Sequence, residues 1–178
     1  MAWERLEGFY GLAGTSQAER DALLAVIPQT GFFLEIGSAD GVTVSWLASR
    51  RPQVAFLSVD PYPPEKGNPS QSEGLTNWWR NRRENQRLLL GTSEDLHAFL
   101  HADQVDVALV DGLHDYQSCK DDLFNCAGRL EKIGSVLAAH DYERRRTVIR
   151  AVQDFQLFHP GFEVIEVVRW TILMRRVW

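Results

Sequence analysis

Long apolar runs are missing from this chain of 178 residues, and so is an excess of positive charge. No stretch approaches the roughly 20 apolar residues that span a bilayer, and the opening MAWERLEGFYG has no apolar centre of the kind a secretion signal carries. The expectation is a cytoplasmic protein without membrane partners. Nineteen Lys and Arg stand against 24 Asp and Glu, a net charge of −5, which argues against a general nucleic-acid binder while leaving room for local basic clusters. Cysteine is scarce as well. Cys119 and Cys126 lie in a segment that reads as helix, where their spacing puts them roughly 10 Å apart, too far for a disulfide. They share a helical face with Tyr116, Leu123 and Leu130 and read as small buried core residues.

What is present is an ordinary globular composition, 44% apolar and 24% charged, enough for one core and one domain over residues 1–178. Residues 1–14 hold Trp3, Leu6, Phe9 and Tyr10, too many apolar groups for a free tail, so they pack on the body or over a ligand. Within an N-terminal helical segment of residues 1–30, Ser16 and Glu19 form a capping box, and Pro28 ends the first helix. Strands and helices then alternate. Phe32–Ile36, Val54–Val59, Arg87–Leu90, Val105–Val110 and Ser135–Ala139 read as strands. Val42–Ser49, Glu94–Leu100, Asp115 to Gly134 and Arg146–Phe158 read as helices. Phe162–Val168 and Trp170–Arg175 are close enough to pair as a hairpin.

This order predicts an α/β, Rossmann-like, mostly parallel seven-stranded sheet with helices on both faces and a C-terminal β-hairpin. Ligands of such sheets bind beyond the carboxyl ends of the strands. The loops there are Gly37 to Gly41, Asp60 to Tyr62, Gly91 to Asp95, Asp111 to Tyr116 and His140 to Glu143. The first follows FFLEIGSADG, an apolar run, an acid and a turn of small residues that opens a helix. Asp60 comes about twenty residues later, where an acid at the end of a second strand meets ribose hydroxyls. The long connection 61–86 is a loop or lid ending in a short helix. Its Trp78 and Trp79 beside Arg80, Arg82 and Arg83 either stack on a substrate or pack one indole inward with solvated arginines.

Together these loops resemble the class I S-adenosylmethionine-dependent methyltransferases, from about Gly31 to the end of the chain. The resemblance implies a cofactor site in which Glu35, Gly37, Ser38, Ala39 and Gly41 border the methionine part. Asp60 matches the ribose-binding acid, Thr92, Ser93 and Glu94 match the loop that borders adenine, and Pro61 and Asp111 complete the cofactor-binding set that the resemblance implies. Ala39 stands where many members have a glycine, and Thr92 where an Asp is common. VDGLHDYQSCKDDL and LEKIGSVLAAHDY look like the Asp-Gly-x-His and His-Asp-Tyr loops of a small-molecule subset that resembles sugar and macrolide O-methyltransferases. That subset implies a divalent cation such as Mg²⁺, held here by Asp111, Asp141 and His140.

An acceptor hydroxyl needs a base, or a metal that lowers its pKa. Asp111, His114 and His140 are the candidate catalytic residues, with either histidine as base where no metal binds. Structural readings compete: Asp111-Gly112 as a turn, Asp115 and Asp141 as caps, a histidine as a hydrogen-bonded core residue. Arg144, Arg145 and Arg146 hint at an anionic acceptor, with solvated surface arginine as the alternative. Little N-terminal extension and no inserted acceptor domain imply a shallow pocket that the 61–86 lid or a second subunit of a homodimer closes. Two other classes stay open. A nicotinamide oxidoreductase is suggested by Tyr116-x-x-x-Lys120, although G-x-G-x-x-G is lacking. A non-catalytic domain that keeps the cofactor fold is the other.

Overall fold

A computed structural model describes residues 6–11, 14–62 and 69–178. Trp3 and the Pro- and Gly-bearing start of the long connection, 63–68, lie outside the described residues. The strands are β1 (Gly31–Ile36), β2 (Val54–Val59), β3 (Gln86–Leu89), β4 (Val107–Val110), β5 (Val136–Ala139), β6 (Phe162–Val168) and β7 (Thr171–Arg176). They form one sheet in the order β3-β2-β1-β4-β5-β7-β6. All neighbours from β3 to β5 pair in parallel, and β7 runs antiparallel between β5 and β6. The order reverses between β1 and β4, so the loops after these two strands open side by side, as ligand crevices require.

The helices are α1 (Gln17–Val26), α2 (Val42–Arg50), α3 (Pro69–Asn81), α4 (Leu96–Phe99), α5 (Tyr116–Ala127) and α6 (Arg146–Phe158), with a 3₁₀ turn over Ser93–Asp95. Alternate residues of β1 face opposite layers, because side chains in a strand repeat every second residue. Phe33 joins Leu23 of α1, Val44 and Leu47 of α2 and Phe56 of β2. Leu34 and Ile36 join Leu123 of α5 and Val152 and Phe155 of α6. Each such side chain, fully withdrawn from water, stabilises the fold by about 1.5–3 kcal/mol. Both cysteines are free and buried in the second of these layers.

Local signals set the helix starts. Ser16 accepts from Glu19 N while the Glu19 carboxylate returns to Ser16 N, the expected capping box, and Asp115 caps α5 through Ser118 N. The α5 end differs from expectation. The helix stops at Ala127 with Gly128 as cap, not near Gly134, and Ile133 is exposed. The chain must turn back at this point to reach the amino end of β5, and Arg129 and Leu130 make i→i−3 bonds that tighten the last turn.

The helix in the 61–86 connection is longer than expected and is fixed to the body. Trp78 is fully buried against Gly41, Trp79 is exposed, and Arg82 lies 5.3 Å over the Trp79 ring. The inward-packing alternative is the one the fold adopts. Asn77 donates to Asp40 Oδ1, and Asn81 donates to the carbonyls of Asp40 and Tyr10. Leu6 and Phe9 pack on the α1–α2 layer, so this part of the N-terminal segment lies on the body.

Candidate active site

The loop after β1 is a tight turn, with Gly37, Ala39 and Gly41 all at positive φ. Glycine is required at position 37 by contact as well as conformation: a Cβ there would sit 2.4 Å from the Asp111 carbonyl oxygen. The first and fourth loops are thus pressed together backbone to backbone. Asp60 organises the turn: its Oδ2 accepts from Ser38 N at 2.9 Å and Ala39 N at 3.2 Å, and its Oδ1 accepts from Tyr62 N at 2.9 Å. Each carboxylate oxygen has more than one acceptor position, so these bonds leave capacity for a ribose hydroxyl.

Tyr62, which sequence reasoning did not single out, folds back over this turn at positive φ. Its hydroxyl donates to the Ala39 carbonyl and lies 3.1 Å from Ser38 Oγ. Burial pushes its phenol pKa up; the Ser38 bond opposes this, and the neighbouring carboxylates Asp60, Glu35 and Asp40 add to it. Glu35 is buried, accepts from Ser58 Oγ at 2.8 Å, and has its pKa driven well up by burial, with the charges of Asp111 and Asp60 adding to the effect. Its carboxyl is therefore biased toward the neutral form.

In the third loop, Thr92 begins the 3₁₀ turn and Asp95 returns to Thr92 N. The Ser93 hydroxyl faces α5 rather than the crevice, donating to Asp122 Oδ1 at 2.6 Å and accepting from Asn125. Burial raises Asp122 to about 6. Glu94 is exposed.

Asp111, His114, His140 and Asp141 do converge, as the order of β4 and β5 predicts, but as carboxylate–imidazole pairs. His114 Nε2 stands 2.7 Å from Asp141 Oδ2. Asp141 is buried in a left-handed conformation; burial raises its pKa, and His114, His140 and Arg144 outweigh this and hold it low. His140 is also buried, with Nδ1 2.9 Å from Asp111 Oδ1 and Nε2 3.5 Å from Glu19 Oε1. Burial lowers its pKa, and the charges and contacts of Asp111 and Glu19 overcome that to raise it to about 10. The two facing carboxylates thus favour the charged form of His140.

The expected Mg²⁺ set of Asp111, Asp141 and His140 does not fit a metal. Each carboxylate faces an imidazole, His140 faces a carboxylate at both nitrogens, and the described residues contain no group of three or more His, Cys, Asp or Glu arranged to hold an ion. The Tyr116-x-x-x-Lys120 spacing likewise forms no redox pair: the Tyr116 hydroxyl donates to Asp154 on α6.

Glu19 is the residue the sequence signal undersold. It is fully buried and does more than close the capping box. Oε2 accepts from Ser16 N and Oγ, while Oε1 accepts from Trp170 N and Thr171 Oγ1 and faces His140. Burial raises its pKa, and His140 and Ser16 reverse that to about 2. These directions set a pH dependence. His140 titrates above its ordinary 6.5, so its stabilisation is complete below that pH and fades as pH rises toward 10. Glu19 titrates below its ordinary 4.5, so its stabilisation is complete above that pH and fades as pH falls toward 2. Thermal stability should therefore be greatest between these ordinary values, and His140→Gln should flatten the alkaline decline. A wild-type Tm that keeps rising from pH 7 to 9 would show that the pair does not form.

A parallel sheet with an antiparallel penultimate strand, and with glycine-bearing and acidic loops crowded at the β1/β4 switch point, defines a class I S-adenosylmethionine-dependent methyltransferase. Residues 34–142, more than half of the chain, match the family described as a methyltransferase domain, and the chain belongs to that family. No curated protein matches the sequence. Among solved structures, an O-methyltransferase from Bacillus cereus in complex with SAH is similar at 16% identity and TM-score 0.63, over 90% of this chain and 82% of that one. An rRNA methylase from Streptococcus thermophilus is similar at 16% identity and TM-score 0.62, over 93% and 100%. The O-methyltransferase NovP is similar at 20% identity and TM-score 0.60, over 91% and 77%. At these identities the likeness is one of fold. No described helix is long and apolar enough to cross a membrane.

Proposed function

We propose that the protein methylates a hydroxyl group of a small-molecule acceptor, with His114 as general base. The observation that carries this reading is the His114–Asp141 pair in the loops that follow β4 and β5, a partly exposed imidazole beside a buried carboxylate 2.7 Å from Nε2. When bound, S-adenosylmethionine supplies a methyl group on a sulfonium sulfur, open to in-line displacement. The residues present suit it. The backbone of Gly37 to Ala39 offers close approach, and Asp60 keeps acceptor capacity for ribose. Glu35 and Asp111 supply carboxyl oxygens for the amino group and the positive sulfur.

Asp141 selects the tautomer of His114 with the proton on Nε2, which leaves Nδ1 to take the proton of the acceptor hydroxyl. Asp141 then stabilises the imidazolium that forms. Asp111, held against His140, keeps its carboxylate at the same edge without itself exchanging a proton. The rRNA methylase among the similar folds marks the competing reading, a nucleic-acid acceptor; the net charge of −5 favours the small molecule.

Calorimetry with S-adenosylmethionine and with NAD⁺, each with and without excess EDTA, tests the assignment. Binding of the first and not of the second is expected. Absence of heat with S-adenosylmethionine in folded protein, both with and without EDTA, would remove the methyltransferase reading, and binding present without EDTA but lost in it would restore the metal.

A further inference from the structure

Beside the His114–Asp141 pair, guanidinium groups are fixed on aromatic rings. Arg144 places Nη1 3.4 Å from Asp141 Oδ1 and its guanidinium 5.1 Å over the Trp170 ring. Thr147 donates its hydroxyl to the His114 carbonyl at 2.5 Å, which ties the first turn of α6 to the loop that carries the base. Arg150, one turn further along α6, lies 4.5 Å over the ring of Tyr116. Its spacing from Asp154 would suit an i,i+4 ion pair, yet none forms. Asp154 instead accepts from the Tyr116 hydroxyl, and this bond holds the ring on which Arg150 rests. Arg146, four residues before Arg150 and so on the same helical face, is exposed and makes no ion pair among the described residues.

A surface arginine that serves only solubility is mobile and pairs with whatever carboxylate is near. Here Asp141 and Asp154 are engaged by His114 and Tyr116, Arg150 rests on Tyr116, two residues from His114, and Thr147, next to Arg146, bonds to the His114 carbonyl. We propose that Arg146 and Arg150 bind an anionic group of the acceptor, a phosphate or carboxylate, so that its hydroxyl meets His114. This rests on the reading of His114 as the base. The planar fork of arginine matches both anions with paired hydrogen bonds, and stacking on Tyr116 reduces the entropy lost when it closes on one. A small acceptor suits the site better than a polynucleotide, because Glu143 and Asp154 bracket the arginines along the chain and would meet an extended phosphate backbone.

The test uses the full chain and equilibrium binding rather than turnover. Inorganic phosphate, phenyl phosphate and 4-hydroxybenzoate are titrated by calorimetry, with 4-hydroxybenzamide as the neutral counterpart of the last. The anions should bind, the benzoate at least about tenfold more tightly than the amide. The double variant Arg146→Gln/Arg150→Gln, at exposed positions, should lose about tenfold or more for each anion with the amide unchanged. No anion binding, equal binding of acid and amide, or an anion affinity unmoved in the variant would overturn the proposal. So would a short RNA that binds the wild type more tightly than phenyl phosphate does and is lost in the variant, which would assign the cluster to nucleic acid. S-adenosylhomocysteine binding is measured separately on both proteins. Its absence with anion binding intact would sink the methyltransferase reading while leaving the anion site standing.

Discussion

His114→Ala is expected to lower kcat for methyl transfer by about 100- to 10,000-fold, the range supplied by a positioned general base, while the dissociation constant for S-adenosylmethionine stays unchanged. Asp141→Asn should approach the same loss by a different route. An amide at position 141 can present its NH₂ to Nε2, which favours the tautomer with the proton on Nδ1, the atom that must accept one. The arrangement depends on the backbone. Asp141 sits at φ 57, a conformation that asparagine tolerates about as well as aspartate, so the substitution tests charge and tautomer rather than folding. Unchanged kcat in both variants would move the base elsewhere.

The second large effect is on stability. Glu19→Ala should destabilise the protein by about 3–5 kcal/mol, the cost of leaving one partner of a buried ion pair without the other. The loss is compounded because the Glu19 carboxylate accepts from Trp170 N, Thr171 Oγ1 and both donors of Ser16. For a chain of this size each kcal/mol corresponds to roughly 2–4 °C in Tm, so a drop on the order of 10 °C is expected in thermal denaturation. Glu19→Gln keeps the shape and should lose less, since it still accepts from the β6–β7 turn while no longer balancing the His140 charge. A loss below about 1 kcal/mol for the alanine variant, the cost of an ordinary helix cap, would show that His140 does not depend on it. Residue 19 lies outside the 34–142 span matched by the family, so this anchor belongs to the part of the chain that precedes the shared domain.

The fold was legible because its signals are local. The Ser16–Glu19 box, Asp115 as a cap and the continuous apolar runs of β1, β2 and β4 follow from hydrogen bonds and periodicities within a few residues. Where a boundary depended on where the chain must go next, the sequence misled. Leu130 and Ile133 continue the α5 pattern, yet the helix ends at Ala127 so that the chain can enter β5. The indole pair was ambiguous for a similar reason, since the choice of Trp78 over Trp79 as the buried ring depends on Gly41 in another loop.

At the site, sequence alone determined which residue types collect at the carboxyl edge, because strand order and the period of a strand dictate that Asp60, Asp111 and His140 emerge there. Tertiary structure decided their charge and partners. Nothing in the spacing of Asp111, His140 and Asp141 distinguishes a metal set from ion pairs. The difference comes from the buried pairing of His140 with Asp111 and with Glu19, far away in the chain, which favours the charged form of that imidazole and leaves His114 as the one open to solvent. Electrostatic free energy in a buried site depends on distance and dielectric rather than on chain separation, so a residue's type can be read from the sequence while its protonation requires the fold.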